Sequence, residues 1–336
     1  MNFFIDPYVF SLNKETITKK QLEEFIENLV DWKKLIDLNW GCVFKPNETF
    51  EVLFKYNLFP YIDNIKELVD KYDIDYIQPE EIDKIINSIL NKLPLLEDYC
   101  KISDILIDED NLVALKDRNE DFTHIFKKLV TVLKIDCLVN QKNADENIII
   151  SNDIPTPTIK FDALISIVDS SYKIDLPITI NIEFSHFTNF NEFCSKIQPA
   201  VIWSNAQNDD CIRMAIYINI FQINPAYNYI YDENKPEFLL HDSFFKSVRE
   251  LNFQKDEGKI NSLNRSICEE ILSINMKDTH ELREGKSGGS NQISHKGYSA
   301  WRRDVDYEYH VHYWKKGKDL VFTDIVPHNN FKITKI

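Results

Sequence analysis

Three short stretches near the end of the chain decide its reading: Ser299-Ala300-Trp301-Arg302-Arg303-Asp304-Val305, Tyr309-His310-Val311-His312-Tyr313-Trp314-Lys315 and Leu320-Val321-Phe322-Thr323-Asp324-Ile325-Val326. Each is rich in aromatic and β-branched residues, so each is predicted to be a strand. Lys315-Lys316-Gly317-Lys318 is a hairpin loop with glycine where a positive φ is needed. If residues 306–308 turn the chain, Arg302 lies opposite His312 and Asp304 opposite His310, all on one face by the period-two rule. The other face then collects Trp301, Val305, Tyr309, Val311 and Tyr313, joined by Leu320, Phe322 and Val326. That face suits packing on helices.

Working upstream, helical spacing covers about Lys259–Ile274 and Ser243–Phe253, and Pro236–Leu240 reads as a short strand. A polar, glycine-containing loop, 278–297, links the second helix to the three strands. Earlier still, Thr18 with Gln21 forms a capping box that opens a helix to about Leu38. Another helix starts at Pro79-Glu80-Glu81, with proline and acids in its first turn. Residues 120–137 suggest a third helix. Strands are expected at residues 1–12, Ile159–Val168, Ile178–Phe184 and Met214–Ile223, with a helix over Asn191–Ala206. The 141–147 stretch and Pro155-Thr156-Pro157 mark a loop where the texture changes. The chain is thus expected to be an α+β multidomain protein: a mostly helical acidic part, 1–145; an α/β part, 146–235, which could form one unit with it; and a small β-α-α-β-β-β domain with an antiparallel sheet, 236–336.

Charge and glycine support a boundary near Asp232-Glu233-Asn234-Lys235-Pro236. The net charge is −15, yet residues 236–336 sum to about +1, leaving about −16 on the first 235. After Gly41 the next glycine is Gly258, and six of the eight histidines lie in 241–336. The acidic balance argues against a protein that coats nucleic acid over its whole surface. No stretch approaches the roughly 18 uncharged apolar residues of a membrane helix, and the start of the chain lacks a basic leader. Six cysteines without close pairs fit buried thiols in a reducing cytoplasm, the expected location.

The order of elements in 236–336 resembles the RelE/ParE toxin superfamily, closest to its RelE- and YoeB-type ribosome-dependent RNA interferases. His280-Glu281-Leu282-Arg283-Glu284-Gly285 after the second helix, Trp301-Arg302-Arg303, Tyr309-His310-Val311-His312-Tyr313 and His328 carry the likeness. The resemblance covers about 100 residues and implies a toxin or anti-phage effector that cleaves mRNA, including ribosome-bound mRNA, with an antitoxin or defence-system protein as partner. It implies His328 as an acid and a glutamate near the end of the second helix, Glu281 or Glu284, as a base. Free-standing members are strongly basic, whereas this segment is nearly neutral. The acidic front region is read as regulating or targeting it.

The residue chemistry points the same way. Cleavage by 2′-hydroxyl attack needs a base, an acid and a cation on the phosphate; histidine supplies the first two near neutral pH, and arginine offers a planar donor fork. Arg302, His310, His312, His328 and Glu281 form the expected catalytic set, with no metal or cofactor required. Arg303, Lys315, Lys316, Lys318, Arg283 and Lys286 are the cations expected on RNA. Two rivals exist in the same residues. His310-x-His312 could hold a metal with His328 or His280, or the domain could be a non-catalytic ParE-like or protein-binding module. Asp162 and Glu183 resemble the acidic pair of PD-(D/E)xK nucleases, but Ser185 stands where that core needs lysine.

Overall fold

The computed structural model describes residues 2–37, 42–112, 115, 118–142, 144, 147–152, 154, 158–204, 206, 208–225, 237–285 and 290–336. The protein is α+β with two mixed sheets, in two compact units, Met1–Phe193 and Cys194–Ile336. The expected loop at Pro155-Thr156-Pro157 and the boundary at 232–236 lie outside the described residues. Among the described residues no helix is long and apolar enough to cross a membrane.

The first unit runs β1 (Asn2–Ile5), α1 (Lys19–Asp37), β2 (Cys42–Phe44), α2 (Thr49–Lys55), α3 (Ile62–Tyr72), α4 (Pro79–Lys92), α5 (Leu96–Cys100), β3 (Ile102–Asp110), α6 (Glu120–Asn140), β4 (Asn147–Ile150), β5 (Thr158–Ser170) and β6 (Ile178–Phe187). One sheet of order β2-β1-β4-β6-β5-β3 takes strands from both sides of residue 146. β2, β1, β4 and β6 are parallel neighbours, and β5 and β3 continue antiparallel. α1 begins as its capping box requires: the Thr18 backbone N–H donates to Gln21 Oε1 at 3.0 Å, and Gln21 N–H to Thr18 Oγ at 3.3 Å. Its Leu22, Ile26, Leu29, Trp32 and Leu35 are buried. The strand expected over residues 1–12 ends at Ile5, because Asp6 accepts from Tyr8 N–H and Pro7 opens a 3-10 turn. At that point Asp6 is fully buried, paired with Arg118 at 2.5 Å, and receives Ser151 Oγ–H at 2.7 Å. The Ser151 bond ties the end of β1 to the residue after β4.

α7 (Phe190–Lys196) passes into the second unit, which continues α8 (Pro199–Ser204), α9 (Asp209–Ile223), β7 (Phe238–Leu240), α10 (Asp242–Glu250), α11 (Glu257–Ile271), β8 (Thr279–Glu281), β9 (Ser294–His295), β10 (Tyr298–Asp304), β11 (Tyr309–Lys316) and β12 (Asp319–Pro327). The helix expected over Asn191–Ala206 is two, interrupted before Pro199, whose ring removes a backbone donor. Met214–Ile223, expected as a strand, is helical instead. Asn208 caps it by accepting from Cys211 N–H, Asp209 and Asp210 occupy its first turn, and burial on several sides erases the amphipathic period.

The second sheet has the order β7-β12-β11-β10-β8, with β9 on β10. It is mixed, since β7 joins β12 in parallel, which corrects the expected antiparallel sheet. The β-α-α-β-β-β order is present, with β8 and β9 added. α10 packs on β12, and α11 packs on β10 and β11. The hairpin register is as read from the sequence: Arg302 opposite His312, and Asp304 opposite His310. In β12 a bulge at Thr323 shifts the phase, so Phe322 faces Tyr313 but Asp324 faces His312 and Val326 faces His310. Val326, expected on the helix-packing face, therefore lies on the histidine face, and Ile325 opposite Val311 takes its place.

Candidate functional site

On the helix-distal face of the second sheet, His280, Arg302, His312 and Asp324 form one row across β8, β10, β11 and β12, and Asp304, His310 and Val326 form the next. His310 Nδ1 is 2.8 Å from Asp304 Oδ1. Its Nε2 is 3.1 Å from the backbone carbonyl of His328 and 3.4 Å from Arg302 Nη1. The exposed His328 ring lies 4.3 Å from the His310 ring, centroid to centroid. Arg302 has no carboxylate partner among the described residues; its guanidinium stacks over Phe331 at 5.2 Å. Two imidazoles, a carboxylate and an unneutralised guanidinium thus share one small area.

The two strand histidines are not on an open surface: both are fully buried. The reason is the segment after β12, which crosses this face without regular secondary structure. His312 Nδ1 bonds the carbonyl of Lys332 at 2.9 Å, and Trp314 Nε1–H donates to the carbonyl of Thr334 at 2.8 Å. Thr334 in turn donates its N–H and Oγ–H to the Asp324 carboxylate at 2.8 and 2.7 Å. Ile333 and Ile336 pack against Leu282, Ala300, Trp314 and Val321. Burial, the largest influence, pushes the His310 pKa below its ordinary value against the pull of Asp304. It takes His312 down to about 4. His312 Nε2 is buried without a partner in the structure, as a neutral ring permits.

The remaining expected residues scatter. Arg303, expected on RNA, is fully buried on the helix-packing face, where it pairs with Glu269 at 2.5 Å and Glu270 at 3.6 Å and donates to the carbonyl of Asn275 at 3.0 Å. It is one residue out of phase with Arg302, and an acidic pair on α11 waits on that side. Lys315 shares that side and pairs with Glu270 at 3.0 Å, so neither is a free RNA-facing cation. Glu281 is exposed and ion-paired with Arg283, which also donates to the carbonyl of Ser290; it sits opposite Trp301, not Arg302. Lys316, over the Tyr298 ring, and Lys318 are exposed. Lys286 lies outside the described residues. Tyr313 is core, its phenol pushed upward by burial. In the first unit, Glu183 pairs with Lys160 across the strands, and Asp162 accepts from Asn181 and Asn111.

Sequence reading placed one member of the site differently and passed over another. His280, weighed there as part of the resemblance and as a possible metal ligand, stands opposite Arg302 and is exposed, a placement set by the short β8 within the stretch 278–297 read as a loop. The covering segment 328–336 left only a faint trace, its apolar Phe331, Ile333 and Ile336 after the last strand. Among the described residues no three His, Cys, Asp or Glu side chains converge as metal ligands would. Comparison of the chain with protein-family models, curated proteins and solved structures returns no match.

Proposed function

We propose that the second unit is a RelE-like, metal-independent RNA endonuclease of a toxin or anti-phage effector, acting in the cytoplasm on mRNA. One observation carries the reading: Asp304, His310, His328 and Arg302 stand together, with Asp304 at one nitrogen of His310 and His328 and Arg302 beside its other edge. A base beside a carboxylate, a second imidazole open to solvent and a free guanidinium are the parts that 2′-hydroxyl attack uses. His310 takes the 2′ proton through Nε2, His328 delivers a proton to the departing 5′ oxygen, and Arg302 neutralises the phosphate. The 2′ oxygen bonds phosphorus as the bond to the 5′ oxygen breaks, leaving a cyclic phosphate. Lys316 and Lys318 supply exposed positive charge for the RNA strand. The acidic first unit regulates or targets this activity.

The test is RNA integrity, total and ribosome-bound, after induced expression of wild type beside Arg302→Lys and His328→Gln. Both positions are solvent-accessible in part, so the variants keep the fold. Each is expected to lower cleavage by about 10²-fold or more; cleavage at wild-type level in both rejects the assignment. A second reading, a non-catalytic ParE-like or protein-binding module, draws on the full burial of His312 and Trp314 against the chain's own backbone. Intact RNA together with persistent toxicity selects it.

A further inference from the structure

His310, His312 and Trp314 alternate along β11 on one face, and each bonds a carbonyl of the same extended segment: those of His328, Lys332 and Thr334. The contact at His310 falls on Nε2, the nitrogen a general base would use. With Nε2–H donating to the His328 carbonyl, that nitrogen has no lone pair free to take a proton while the contact lasts. Arg302 is likewise covered, by the Phe331 ring. The segment is held by side chains and not by a strand ladder: the Asp324 carboxylate grips Thr334, and His295 Nε2 and Lys296 Nζ lie 3.1 and 2.9 Å from the Ile336 oxygen. Segments secured this way open locally more readily than strands do.

We propose that residues 329–336, together with the His328 backbone carbonyl at their base, form a strap that occludes the Arg302–His310–His312 face in cis and must lift before that face takes up an RNA strand. This rests on the RNA-cleavage reading for its consequence, though the occlusion itself does not. The strap's carbonyl oxygens occupy positions that phosphoryl and sugar oxygens of the substrate would take. Its apolar anchors, Ile333 and Ile336, determine how often it leaves.

The test uses the full chain in three forms. Ile333→Asp loosens the anchor; Asp324→Asn with Thr334→Val loosens the grip while leaving the apolar contacts; Asp324→Cys with Thr334→Cys, in a Cys42→Ser background, pins the strap when oxidised. Two quantities are read: hydrogen–deuterium exchange at the imidazole C2 positions of His310 and His312, and cleavage of an RNA oligonucleotide. Exchange is expected to rise at least tenfold in either loosened form and to fall below wild type in the pinned form, returning on reduction, with cleavage following the same order. Exchange that follows this order while RNA stays intact supports the strap and removes the RNA-cleavage reading. Exchange equal in wild type, pinned and loosened forms overturns the strap, as does full cleavage by the oxidised pinned form.

Discussion

Replacing Arg303 by methionine should cost the second unit about 4 kcal/mol and leave RNA cleavage by the folded fraction unchanged. Arg303 is enclosed between β10 and α11, beside two carboxylates that are nearly or fully buried. Removing one partner of a buried pair costs roughly 3–5 kcal/mol. Here the lower end applies, because Glu269 keeps Arg265 at 2.9 Å and Asn275 at 2.8 Å, and Glu270 keeps Lys315 and Thr279. The orphaned carbonyl of Asn275 adds about 1 kcal/mol. With a urea slope of about 2 kcal/mol/M, the midpoint falls by about 2 M at unchanged slope. Arg303→Lys, which keeps the charge but not the fork, should fall between. The acid limb provides a second check. Burial pushes Glu269 upward most strongly of any single influence, but Asn275, Arg265 and Arg303 together bring it below its ordinary value. A carboxylate lowered on folding contributes stability above its unfolded pKa and loses it as pH falls through the folded one. That loss should be smaller in Arg303→Met. A midpoint within about 0.3 M of wild type, combined with weaker RNA binding, would refute the buried-pair account.

Other expectations are as concrete. In the first unit, Arg118→Leu leaves the buried Asp6 carboxylate with the Ser151 hydroxyl and the Tyr8 N–H but no charged partner, and should destabilise that unit by about 3–5 kcal/mol in denaturant titration; a loss under about 1 kcal/mol would contradict it. His312 is held at about 4 against about 6.5 when unfolded, so between those values the unfolded chain binds the extra proton. Stability is therefore intact above about pH 6.5 and declines toward pH 4, by about 3 kcal/mol over the full shift; an NMR titration of the ring with a midpoint above 6 would deny this. Thr18→Ala removes one half of the α1 capping box and should cost about 1 kcal/mol in the first unit, with Thr18→Ser close to wild type.

The hairpin at 299–315 was legible to the residue because alternation fixes both register and face, and the turn at 306–308 left only one pairing. The capping box at Thr18 and the helices over 19–37, 79–92 and 120–140 were legible for the same local reasons. Where the sequence misled, a non-local partner decided. Met214–Ile223 is apolar on too many sides to display a period, and only the capping asparagine before it signals a helix. Arg303 and Arg302 are adjacent and alike in sequence; their different fates follow from Glu269 and Glu270 on one side and, on the other, from Arg302 making no ion pair among the described residues. The burial of His310 and His312 depends on a segment that pairs with no strand. No periodicity records such a contact.

The bulge at Thr323 has a consequence for how this protein tolerates changes in length. Thr323 is the extra residue between two normally paired neighbours, Phe322 opposite Tyr313 and Asp324 opposite His312. Its own ties are two: its carbonyl receives Ser243 Oγ–H from α10 at 2.6 Å, and its hydroxyl donates to the carbonyl of His312 on β11 at 3.3 Å. Losing one residue elsewhere inside β12 would turn every later side chain to the wrong face. Losing Thr323 would leave each partner where it stands. In a scan of single-codon deletions along 319–327, position 323 should survive as the one permissive site, a splice point at which the frame of inside and outside can be reset.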